Sequence, residues 1–85
     1  MIIPYISVKL FSGRSRESKE SFALAVRQAA IDILGADGQY VTVAMQDVEP
    51  AVWKDQVYTA EIVDNPHLIL RHNAIVSPAG MKKDD

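Results

Sequence analysis

The sequence predicts an α/β fold: a βαβ protomer with two parallel strands, whose sheet is completed by a second subunit. Three observations predict it. Over residues 2–11, Ile6, Val8 and Leu10 alternate with Tyr5, Ser7, Lys9 and Phe11, the period of a half-buried strand. Over 15–34, Phe22, Val26, Ala29 and Ile33 recur at spacings of four, three and four, which forms one stripe of a helix. Over 40–48 the alternation returns, with Val41, Val43 and Met45 against Tyr40, Thr42, Ala44 and Gln46.

The first strand ends at Gly13. Ser15 is placed to cap the helix, and Glu17 puts negative charge in its first turn. Gly35 is placed to end the helix in a left-handed conformation. Asp37-Gly38 reads as a turn into the second strand. Short connections on both sides of one helix make the strands parallel, with a right-handed crossover. A two-stranded sheet does not stand alone, so a second copy of the same unit is expected to extend it. Leu24 and Ile31, seven apart and opposite the core stripe, are the expected oligomer contact on the helix.

The last third is less regular. Pro50 is expected at the first position of a short helix carrying Val52, Trp53 and Val57. Residues 59–65 read as an irregular connection, and Pro66 as the start of a helical turn through Arg71. One domain is expected over 1–76, with a mobile tail over 77–85.

Composition narrows the function. Eighty-five residues build a thin core, which again favours an oligomer. A net charge of −2 provides no basic face to displace counterions from phosphates, so no nucleic-acid partner is expected. The absence of cysteine excludes a disulfide framework and suits the cytoplasm. No apolar run approaches the ~20 residues that span a bilayer. Met1-Ile2-Ile3-Pro4-Tyr5 has neither the basic flank nor the cleavage site of a signal peptide. His67 and His72 are five apart, unlike the i, i+4 pair of a metal-binding helix, and no metal is expected.

Pro4-Tyr5-Ile6-Ser7-Val8-Lys9-Leu10-Phe11 followed by Ser12-Gly13-Arg14-Ser15 resembles the start of the 4-oxalocrotonate tautomerase family. The resemblance runs from Pro4 to Trp53. Trp53-Lys54-Asp55-Gln56-Val57-Tyr58 with Glu61-Ile62 is similar to a longer-tailed branch of that family. The glycine-rich hairpin that follows the aromatic in shorter members is absent. The longer-tailed branch includes dimers and the short members are hexamers. The resemblance therefore implies a homodimer first and a hexamer second.

It also implies three site residues. Pro4 falls on the family's amino-terminal base, whose secondary amine moves a proton next to a carbonyl. An α-amino group titrates near ~8 and is lowered towards neutrality in an apolar pocket, where a base works best. Arg14 falls on the first binding arginine, a guanidinium able to clamp a carboxylate. Trp53 falls on the aromatic that keeps the base dry. Thr42 stands where the family has a second arginine, which points away from dicarboxylates and towards a monoacid or a neutral keto–enol compound. Taken without the resemblance, Pro4 is a strand-start proline and Trp53 a core or interface residue, whereas Arg14 reads either as a solvated arginine or as one placed for function, since a cation just before the N-cap is disfavoured by the helix.

Pro4 is preceded by Met1-Ile2-Ile3, and a proline inside a chain is an amide without a basic lone pair. Ile2 is large, so Met1 is expected to stay, and the chain starting at Met1 is expected to be inactive by the proline mechanism. Two functions follow. One is keto–enol isomerisation of a small carbonyl acid once Pro4 is the terminus. The other is a catalytically silent oligomeric relative that binds small molecules or serves structurally. A third, with Lys9 or the α-amino group of Met1 as base, has little in the sequence to favour it. The expected partners are a second copy of the chain and a small carbonyl or enol compound. No cofactor is expected.

Overall fold

A computed structural model describes residues 1–77. The expected tail over 77–85 lies, from residue 78 onward, outside the described residues. The chain forms two compact units, one over Met1–Ala51 and one from Val52 onward.

In the first unit, β1 (Tyr5–Phe11) and β2 (Thr42–Val48) are parallel and joined by the helix α1 (Arg16–Leu34). The register runs from Tyr5 opposite Thr42 to Phe11 opposite Val48. This is the predicted βαβ unit. Both strands start later than expected, β1 at Tyr5 instead of residue 2 and β2 at Thr42 instead of residue 40. The cause is a 3₁₀ turn at Gly38–Tyr40, where the Tyr40 amide donates to the Asp37 carbonyl at 2.9 Å. That turn removes the partner that residues before Tyr5 would need.

The caps of α1 are as expected. The Ser15 hydroxyl accepts from the Ser18 amide at 3.1 Å. Gly35 adopts φ 73°, while the Gly35 amide donates to Ile31 and the Ala36 amide to Ala30, each at 3.2 Å.

The inward face of α1 differs from the expected stripe. Lys19, Ala23, Val26 and Ala30 are half-buried or buried, whereas Phe22 is 47% and Ile33 is 79% exposed. The helix is turned by a little over half of one residue's step, about 60°, so that Val26 stays inward and the small side chains of Ala23 and Ala30 approach the sheet. Two strands are too narrow to cover the Phe22–Ile33 side as well. Ile31, expected on an outer face, is half-buried: its Cδ1 lies 2.9 Å from the point where a Cβ on Gly38 would stand. Leu24 is exposed. The buried residues of this unit are Ala30, Ala36 and Val48, none larger than valine.

One α-helical turn, α2 (Pro50–Trp53), begins with the last two residues of the first unit and runs on as a π-helix over Lys54–Ile62 in the second. The expected irregular connection over 59–65 is therefore wound as far as Ile62. Within the helical residues 50–62, Trp53, Val57 and Ile62 are the ones half-buried or buried. Their spacing of four and five suits i→i+5 winding. An α-helix would instead turn Ala60 and Glu61 to that side. Asn65 closes the helix: its side-chain amide donates to the Glu61 carbonyl at 2.9 Å, and its oxygen accepts from the His67 amide at 2.8 Å. No helical turn follows Pro66. Instead β3 (Leu70–Arg71) and β4 (Ala74–Ile75) pair as an antiparallel hairpin, with His72 in the left-handed region at φ 57°.

Candidate active site

Pro4 stands immediately before β1. It is half-buried, and its carbonyl accepts from the Thr42 amide at 3.2 Å. Its own nitrogen is acylated by Ile3 and has no proton to give a ladder. Met1, Ile2 and Ile3 lie outside any strand and are exposed. Thr42 therefore sits beside Pro4, where the resemblance implies a second arginine, and it brings a hydroxyl instead of a cation.

Arg14 lies at the other end of β1. The loop that carries it is tightly tied. The Ser12 amide donates to the Val48 carbonyl at 3.3 Å, and the Ser12 hydroxyl donates to Glu49 Oε2 at 2.7 Å. Gly13 adopts φ 125°, a conformation that a side chain would strain. Ser15 then caps the helix. Arg14 is exposed and makes no hydrogen bond or ion pair among the described residues.

Beside Arg14 is a groove of about 360 Å³. Val8, Leu10 and Met45 form its apolar floor, and Arg14, Ser18, Lys19 and Phe22 surround it. Lys19 reaches across to β2, with Nζ 2.9 Å from each carboxylate oxygen of Asp47. Lys9 is on the other face of β1, with Tyr5 and Phe11, and does not line this groove. Trp53, half-buried at the end of α2, belongs to the second unit.

Within one chain the structure joins Pro4 to Thr42 and separates Pro4 from Arg14. The two are apart by the seven-residue length of β1, roughly 20 Å at the rise of a strand. Sequence reasoning missed the groove and the Lys19–Asp47 pair, because the two residues are 28 positions apart and no local spacing links them.

The family model for Tautomerase, described as tautomerase enzyme, matches residues 4–56. The chain belongs to the tautomerase family. The first residue matched is Pro4. A probable tautomerase of Xylella fastidiosa (strain 9a5c) is 38% identical over 60 residues, covering 71% of this chain and 73% of that protein. A probable tautomerase of Ralstonia nicotianae (strain ATCC BAA-1114 / GMI1000) is 39% identical over 51 residues, covering 60% and 73%. Among solved structures, the tautomerase fold is shared with TomN, a 4-oxalocrotonate tautomerase homologue in the tomaymycin biosynthetic pathway. TomN is 32% identical with a TM-score of 0.57, over 59% of this chain and 77% of its own. YwhB, another homologue of 4-oxalocrotonate tautomerase, is 28% identical with a TM-score of 0.53, over 54% and 75%. No helix among the described residues of this tautomerase-family chain is long and apolar enough to cross a membrane.

Proposed function

We propose that this tautomerase-family chain catalyses keto–enol isomerisation of a small carbonyl acid, with Pro4 as general base when its nitrogen is the chain terminus. The observation that carries this reading is that the family match begins at Pro4. A free Pro4 nitrogen takes the proton from the carbon next to the carbonyl, leaving an enolate. The protonated amine then returns a proton to oxygen, or in the reverse direction to carbon. The fold suits such a change of terminus. Pro4 is tied to the sheet through its carbonyl, so removing Met1-Ile2-Ile3 breaks no bond of the β1–β2 ladder.

Arg14 binds the carboxylate of the substrate and Trp53 shields the base from water. Since one chain separates Pro4 from Arg14, a site that uses both takes Arg14 from a second copy. This supports self-association, as a dimer first and a hexamer second, and a sheet completed by the second subunit. Residues 1–76 then act as one tautomerase-like domain, and a cytoplasmic setting is consistent with a chain that has no cysteine.

One observation favours a second reading, the catalytically silent oligomeric relative: in the chain from Met1, Ile3 acylates the nitrogen of Pro4. A single experiment separates the two. A chain beginning at Pro4 is expected to convert phenylenolpyruvate roughly 10²–10⁴ times faster than the chain from Met1, the usual worth of general-base catalysis. Pro4→Ala in the shorter chain lowers the rate without unfolding the protein, and Arg14→Ala weakens binding of acidic substrates more than of neutral ones. Equal rates for the two chains, both surviving Pro4→Ala, would select the silent relative.

A further inference from the structure

We infer that Asp47 is a specificity-determining residue, because it neutralises Lys19 and so fits the groove beside Arg14 to a monocarboxylate with an apolar body rather than to a dicarboxylate. The inference rests on the Arg14 half of the proposed function and is independent of Pro4.

The groove has two cations on its wall, Arg14 and Lys19. Lys19 is committed: both oxygens of Asp47 lie 2.9 Å from its Nζ, and its side chain is only 21% exposed. Holding both oxygens leaves Lys19 little attraction for a further anion. Nearby, Arg16 is paired with Glu20 at 2.8 Å, and Glu49 accepts from the Ser12 hydroxyl. Arg14 is thus the unpaired cation on this groove among the described residues. A guanidinium holds one carboxylate through two parallel hydrogen bonds. The floor of Val8, Leu10 and Met45, with Phe22 at the side, then favours an apolar body attached to that carboxylate. A second carboxylate would lie over apolar side chains, with Lys19 already held by Asp47. It would lose water without gaining a partner.

Thr42 gives the same preference from the opposite end of β1. There the residue beside Pro4 supplies no positive charge.

The test uses the chain from Met1 with two unreactive acids of equal length, hexanoate and adipate. Binding is followed by the NMR shift of the Arg14 Nε–H resonance. In the unaltered chain adipate is expected to bind no tighter than hexanoate. Asp47→Asn frees Lys19 and should raise the adipate-to-hexanoate affinity ratio by about two- to fivefold, the scale of one exposed ion pair. Adding Lys19→Met to Asp47→Asn should cancel that rise. Lys19→Met alone removes a cation from the groove wall and leaves Asp47 without its ion-pair partner, and it should weaken both acids, adipate more, which provides a second measure if Asp47→Asn fails to fold. An unchanged ratio in Asp47→Asn, or an Arg14 resonance that neither acid moves, would overturn the inference. A shifted ratio in a protein whose Pro4-starting form is inactive would sink the catalytic reading and leave this one standing.

Discussion

Gly13 shows how one residue sets the placement of a functional side chain. At φ 125° it turns the chain between β1 and the cap of α1, and no atom lies within 4 Å of where its Cβ would be. Substitution there is opposed by the backbone alone, not by a clash. Gly13→Ala should therefore cost about 1–2 kcal/mol of stability, read as a lower denaturant midpoint at unchanged slope. It should also weaken carboxylate binding, because Arg14 follows directly. A midpoint equal to that of the unaltered chain would show that the loop relaxes freely. Ser12 and Glu49 hold the same loop from the side of β2 through a 2.7 Å hydrogen bond.

Among the elements, α1 owes its ends to local chemistry and its inward face to packing. Ser15→Ala removes the acceptor for the Ser18 amide and should cost about 1 kcal/mol, whereas Ser15→Asp should retain the cap. Thermal unfolding of the three proteins checks this. The π-helix makes a sharper prediction. Ile62 is half-buried and Glu61 exposed, as i→i+5 winding requires. Ile62→Ala should cost more than Glu61→Ala, on the order of 1–2 kcal/mol more for a half-buried aliphatic side chain. The reverse order would mean that this segment is α-helical in solution.

At the scale of the whole molecule, the described chain is under-buried. Ala30, Ala36, Val48 and Val57 are its buried apolar residues, while Phe11, Phe22, Leu24, Ile33 and Ile75 are among the large side chains left exposed. A core without a buried residue larger than valine gives little stability at this length. The protein should therefore self-associate. Sedimentation at micromolar concentration is expected to give a dimer or a larger closed assembly, and a stable folded monomer would refute this. The separation of Pro4 from Arg14 makes the same prediction in terms of activity. Pro4-starting chains carrying Pro4→Ala and Arg14→Ala, each impaired alone, should regain activity when co-expressed as mixed assemblies, because one interface then holds an intact pair.

The sequence by itself determined the βαβ order, the parallel sense of its strands, both caps of α1 and membership of the tautomerase family through Pro4, Gly13 and Arg14. Each depends on residues a few positions apart, where period, capping chemistry and turn geometry act directly. Only the tertiary structure decided the register, in which Tyr5 meets Thr42 and the three residues before Pro4 are left unpaired. It also decided which face of α1 turns inward. Phe22, Ala29 and Ile33 have the right spacing, but Ala23 and Ala30 allow the closer approach to a sheet of two strands. The Lys19–Asp47 pair and the groove beside Arg14 were illegible for a related reason. They join residues distant in sequence, and pairing across that distance follows from how the helix settles on the sheet, which local pattern does not encode.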